Sequence, residues 1–196
     1  ARLESMVLDD RFEAVSERQV LYRETWSQIP FFLGLDGDFE DATGMLAWNA
    51  PTADGPSRIY VVRFDGSGHP QSAPRVLAES ASDQSRPSVL ALGQGKFFFA
   101  WEQVRSDAPD DTAGYSVWSA AVNANDELAF VNPSCGQGSF RLNRADDGGQ
   151  TRPALARLAD GSVIAAWSDS GYNRADRDGS SIMSVVWRPR DLFPLE

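Results

Sequence analysis

The chain is short of the residues on which most familiar site chemistry depends. Its 196 residues include one cysteine, Cys135, one histidine, His69, and one lysine, Lys96. A single cysteine excludes an internal disulfide and a thiolate metal site. A single histidine excludes a multi-histidine metal centre within one chain, and it would have to be the base of any Ser-His-Asp or Cys-His site. It lies in Gly66-Ser67-Gly68-His69-Pro70, which is turn chemistry. Cys135, in Pro133-Ser134-Cys135-Gly136, reads as a loop residue for the same reason. Long apolar runs are missing too. A membrane helix needs about 18 such residues, and the longest stretch here, Phe97 to Trp101, is strand-sized. Helical periodicity is weak everywhere; the one candidate, Arg11 to Tyr22, ends in a repeated element and is read as strand.

Positive charge is also scarce. Asp and Glu number 28 against 18 Lys and Arg, for a net charge of −10. Binding to a phosphate backbone needs a basic face, so nucleic acid is not an expected partner. All the cations but Lys96 are arginines, which suit planar, bidentate contacts. Hydrophobic residues make up 42% of the chain, enough for a sizeable core in one repeat domain. The start at Ala1, without Met, is what a removed signal peptide would leave, and equally what an internal cleavage would leave.

What the chain does have is an internal repeat. Gln84-Ser85-Arg86-Pro87 aligns with Gln150-Thr151-Arg152-Pro153, and the match runs without a gap through Leu92 and Leu158, Gly95 and Gly161, to Ala100-Trp101 and Ala166-Trp167. Val76-Leu77 and Leu142-Asn143 precede the glutamines at equal offsets. A more worn copy holds Val20-Leu21, Gln28-Ile29-Pro30 and Ala47-Trp48, with its extra length assigned to an acidic loop, Asp36 to Thr43. The tryptophans are therefore 53 and then 66 residues apart.

Each copy reads as four short strands. First strands are expected at 31–35, 88–92 and 154–158, entered through proline, which a strand's first position tolerates. Second strands are expected at 44–48, 96–102 and 162–168, nearly all apolar and hence buried on both faces. Third strands follow at 58–64, 115–122 and 181–187, and the Val-Leu element supplies the fourth. The expected fold is all-β: three four-stranded antiparallel blade-like repeats, a β-propeller or partial propeller. The units are 18–75, 76–141 and 142–196, with residues 1–17 available to complete the last sheet. Three blades are fewer than the usual four to eight. A second copy or another protein partner completing a ring is one expectation; a longer parent chain, or sheets that stack without a ring, are the others.

The phrase Gln-x-Arg-Pro-x-(Val/Leu)-Ala-x-Leu-x-x-Gly-x-(Phe/Val)-x-x-Ala-Trp resembles the blade repeat of exported bacterial proteins. These include large surface and calcium-associated exoproteins and sialidase-like propellers. The resemblance covers most of residues 18–187 and implies a propeller fold and an exported location. It does not carry sialidase activity. The aspartate-box turn is matched only by Ser168-Asp169-Ser170-Gly171, with the wrong spacing and no following tryptophan, and Gln28 stands where an arginine would precede Ile29-Pro30.

Candidate ligand-binding residues are Arg86 and Arg152 with Gln84 and Gln150, which recur where innermost strands begin and would converge on a central channel. Trp118 and Trp187, with Trp26, stand outside the repeat and are candidates for exposed stacking surface, whereas Trp48, Trp101 and Trp167 are expected to pack between blades. Asp36, Asp38, Glu40 and Asp41 form a candidate calcium loop, without EF-hand spacing; Asp107 to Asp111 and Asp176 to Gly179 are further acidic loops. No catalytic residue is named. The first functional expectation is a non-enzymatic binding or assembly module recognising a glycan or protein through blade-end loops. The alternatives are a carboxylate-based glycosidase or lyase and a structural subunit that completes a ring.

Overall fold

A computed structural model describes residues 2–6, 8–23, 32–38, 40–52, 55–104, 114–129, 138–143, 148–170 and 180–188. Everything regular in them is β-strand. No helix is long and apolar enough to cross a membrane.

The first two strands, β1 (Arg2–Ser5) and β2 (Gln19–Arg23), pair with each other. Sheet I follows as β3 (Leu33–Asp38), β4 (Thr43–Thr52), β5 (Gly55–Asp65) and β6 (Arg75–Val76), in that spatial order. Sheet II runs β7 (Gln84–Gly93), β8 (Lys96–Val104) and β9 (Tyr115–Val122), and two short strands, β10 (Leu128–Ala129) and β11 (Phe140–Arg141), share the outer side of β9. Sheet III is β12 (Gln150–Arg157), β13 (Val163–Asp169) and β14 (Ser181–Trp187). All pairings are antiparallel.

The sheets stack face to face because their central strands are apolar on both sides. The forward face of sheet I (Met45, Ala47, Ile59, Val61) packs on the backward face of sheet II (Val89, Phe97, Phe99, Trp101, Ala120). The forward face of sheet II (Leu90, Phe98, Ala100, Val117, Ala121) packs on Val163, Ala165 and Trp167 of sheet III. The β1–β2 pair lies on the backward face of sheet I, where Leu3 and Leu21 meet Leu46, Trp48, Val62 and Phe64. As expected, Trp48, Trp101 and Trp167 are buried between sheets.

The innermost strands come very close. A Cβ on Gly34 of β3 would stand 2.6 Å from the Pro87 carbonyl oxygen of β7, so glycine is required there. On β7 and β12 the Arg-Pro step is a bulge: Arg86-Pro87 together face Trp101, and Arg152-Pro153 face Trp167. Both arginines sit in the left-handed region, at φ 49° and 57°.

Three details differ from the sequence-based expectation. Asp36, Gly37 and Asp38 belong to strand β3, which pairs with β4 as far as Asp38 and Thr43, so the acidic segment begins as strand and turns at Glu40 to Ala42. Leu33 faces Trp48 directly, without a bulge, and four residues separate the paired ends Asp38 and Thr43, against two between Gly93 and Lys96. Among the described residues the N-terminal strand β1 pairs with β2, and no strand lies outside β14.

Candidate functional site

The C-terminal ends of the three innermost strands meet around a pocket of about 420 Å³, lined by Asp36, Gly37, Asp38, Glu40, Leu90, Ala91 and Arg157. Each sheet contributes. Sheet I brings the acidic end of β3, sheet II brings Leu90 and Ala91, and sheet III brings Arg157. Two residues beyond Ala91 is Gly93, whose φ of +90° suits glycine. A Cβ on Gly93 would lie 3.4 Å from Asp38 Oδ2 and 3.8 Å from Arg157 Nη1. A carboxylate from one sheet and a guanidinium from another thus converge over a residue with no side chain.

The carboxylates are held differently. Asp36 accepts hydrogen bonds on both oxygens, from the Ala91 N–H at 2.8 Å and from the Gly37 N–H at 2.9 Å. It therefore clamps sheet I to sheet II. Asp38 accepts the Glu40 and Asp41 N–H groups on Oδ1 alone, which leaves Oδ2 toward Gly93 and Arg157. Asp41 turns away to accept the Gly95 N–H at 2.8 Å. Glu40 is exposed at the rim. These four residues were the calcium candidates, and they do not converge on one point: among the described residues no group of three or more His, Cys, Asp or Glu side chains is placed to hold a metal ion. Two of the carboxylates are instead acceptors for the neighbouring sheet's backbone.

At the opposite end, where the innermost strands begin, Glu102 is buried (1% exposed). It accepts hydrogen bonds from the Arg86 guanidinium at 3.1 Å, the Ser85 hydroxyl at 3.3 Å and the Arg152 backbone N–H at 2.7 Å. The Arg86 guanidinium also lies 4.7 Å from the centre of the Phe32 ring. The two arginine positions do meet, as the repeat suggested, but on a shared carboxylate of the chain itself. Arg86 is partly exposed beside it and the Arg152 side chain is exposed.

The paired glutamines are buried seams. Gln84 accepts the Ile59 N–H of sheet I at 3.0 Å and donates to the Ala78 carbonyl and to Gln103. Gln150 accepts from Asn143 Nδ2 at 2.8 Å and donates to Gly148 and Asp169, while Asn143 Oδ1 accepts the Val117 N–H of sheet II. Each thus fastens the start of one sheet to the third strand of the sheet before it. Trp118 and Trp187, expected on the surface, are packed instead. Trp118 lies against the core between sheets I and II, and Trp187 stacks with Phe98 and Phe140 between sheets II and III. Each lies on the side of its third strand that the preceding sheet covers, which accounts for the correction. Trp26, Gln28, Cys135 and the acidic stretches at 107–111 and 176–179 lie outside the described residues. Sequence reasoning missed Glu102, Gly93 and Arg157. Glu102 alone had a signal, a carboxylate directly after the repeated Ala-Trp.

No protein-family model matches the chain, and no curated protein matches it. Solved structures do. The endo-arabinase from Bacteroides thetaiotaomicron aligns with a TM-score of 0.51 at 15% identity, over 89% of this chain and 62% of that one. The α-L-arabinanase from Cellvibrio cellulosa gives a TM-score of 0.48 at 11% identity, over 88% of this chain and 58% of that one. The chain thus spans about three fifths of the length of these structures. The first likeness is one of fold: an all-β stack of antiparallel sheets similar to that of a glycoside-cleaving enzyme.

Proposed function

We propose that this chain is a carbohydrate-acting propeller-type domain of the glycosidase kind, with its substrate end at the Asp38–Arg157 pocket. The observation that carries the reading is the convergence over Gly93: three innermost strands each deliver one element of a concave, carboxylate-lined site. The fold likeness to the endo-arabinase supports the glycosidase alternative over a non-enzymatic module.

Glycoside cleavage needs two carboxyl groups across the scissile bond, one ionised and one able to give a proton. Asp36 is committed on both oxygens to backbone donors and serves as a fixed wall. Asp38 is one of the pair: two N–H donors hold Oδ1, and Oδ2 lies beside Gly93. Glu40, at the rim, is the second carboxyl group. Arg157 orients a sugar hydroxyl beside Asp38.

The test is reducing-sugar release from arabinan by the intact chain, with retention on an arabinan gel measured in parallel. Release is expected, and Asp38→Asn and Glu40→Gln should each lower it by about 100-fold or more with unchanged far-UV circular dichroism. Retention without release would turn the proposal into a binding module. Neither release nor retention would end it.

A further inference from the structure

The hairpin that joins β7 to β8 leaves one residue's backbone without a partner of its own. Its turn is two residues long, since Gly93 pairs with Lys96. Gln94 and Gly95 fill it at φ 56° and 66°, both in the left-handed region that such a turn requires. Neither the N–H nor the carbonyl of the second turn residue bonds within a hairpin of this kind, and Gly95 is buried. Sheet I supplies both partners. Asp41 accepts the Gly95 N–H at 2.8 Å, and Arg63 Nη1 donates to the Gly95 carbonyl at 2.9 Å.

Arg63 is itself fixed. It is 4% exposed. Its Nε and Nη2 donate to Asp126 Oδ1 at 2.9 and 2.6 Å, and Nη2 also donates to the Asn123 carbonyl at 3.0 Å. The guanidinium lies over the Phe97 ring, 5.0 Å from its centre. All three nitrogens are thus committed, and the fork spans the turn after β7 and the turn after β9.

The repeat shows that a seam between sheets can do without this grip. Arg63 faces Met45 in sheet I where Ala121 faces Phe98 in sheet II, at the same distance from the paired aromatic residues Trp48–Tyr60 and Trp101–Trp118. Between sheets II and III that place belongs to an apolar cluster. In the sheet III hairpin the repeat glycine, Gly161, donates to its own turn, at the Leu158 carbonyl. Among the described residues the grip occurs at the seam whose β3–β4 turn carries Glu40. Glu40 directly precedes Asp41, and its own N–H is held by Asp38 Oδ1 at 2.9 Å. Tying Asp41 to Gly95 fastens the other side of Glu40.

We propose that Asp41 and Arg63 are positioning residues of the carboxylate pocket: by holding Gly95 between them they set where Glu40 stands relative to Asp38 and to the Leu90–Ala91 wall. The chemical role of the positioned pair rests on the glycosidase reading, whereas the grip does not.

Two readouts on the intact chain test it, one without substrate and one with it. Asp41 is exposed, so its substitution should leave the fold intact. In Asp41→Ala the Gly95 N–H loses its acceptor, whereas the carboxamide oxygen of Asp41→Asn can still accept it. In two-dimensional amide NMR spectra the Glu40, Ala91 and Gly95 signals should move in Asp41→Ala and return toward their parent positions in Asp41→Asn. Arg63→Lys cannot span the same acceptors and should move the Glu40 signal too, which its own place in the chain would not do. With arabinan, Asp41→Ala should lower kcat by about 10–100-fold while KM stays within about twofold, and Asp41→Asn should recover most of the loss. Should Arg63→Lys fail to fold, the two Asp41 variants decide alone. Unmoved Ala91 and Gly95 signals in Asp41→Ala, a kcat equal to the parent's, or equal losses in Asp41→Ala and Asp41→Asn would each overturn the proposal. A parent chain that releases no sugar ends the glycosidase reading, and the amide signals then judge the grip by themselves.

Discussion

At the scale of single residues, buried polar groups decide where the sheets join. Gln84 is 1% exposed and fills its hydrogen-bonding capacity within the seam. Gln84→Leu would leave the Ile59 N–H without its acceptor, and a stranded buried donor costs about 1–3 kcal/mol. Urea unfolding should show a loss of roughly 2 kcal/mol with an unchanged slope. Arg152 offers the opposite case. Its φ of 57° is unfavourable for a residue with a Cβ, its side chain is exposed, and its backbone N–H alone makes the bond to Glu102. Arg152→Gly should therefore stabilise the chain by roughly 0.5–1 kcal/mol, net of the looser unfolded state. At Asp160 the Ser162 backbone N–H, 2.9 Å away, and then its hydroxyl hold the carboxyl below the ordinary carboxylate range. A depressed folded-state pKa stabilises at pH values above the ordinary one and is lost as pH falls through the depressed one. Ser162→Ala should move the Asp160 titration midpoint, followed by NMR, upward.

At the scale of elements, the sequence and the structure agree where apolar pattern and repeat coincide. The second and third strands, and the tryptophans of the second, were readable because inter-sheet packing leaves a dense apolar signature, as in Phe97 to Trp101. Polar residues were harder to read, since the same type serves a seam or a ligand. Gln84 and Gln150 recur because every seam needs them, and recurrence alone does not distinguish that from a channel lining. The acidic segment read as a loop because Asp and Gly are poor strand formers. Pairing with β4, and the Asp36 bond to the Ala91 N–H, override that preference. The pocket was invisible because it unites Asp38, Ala91 and Arg157, which are far apart in the chain and share no motif. The Arg-Pro bulge also has a testable role. It inserts one extra residue opposite each tryptophan, so deleting Pro87 would shift the register of Gln84 to Arg86 and turn the seam glutamine away from Ile59. The loss should exceed that of Gln84→Leu, at about 4 kcal/mol or more, in the same urea experiment.

At the scale of the molecule, stability resides between sheets more than within them. Each core joins two consecutive sheets, and each seam adds one glutamine-centred set of hydrogen bonds. Gly34 gives this stack a further property. Where β3 passes β7 the backbones touch, with no room for even a methyl group. That contact stands between the carboxylate pocket and the Glu102 cluster. On the proposed reading, a polymer reaching Asp38 therefore does not pass between β3 and β7 at Gly34 and has to leave by the door it entered.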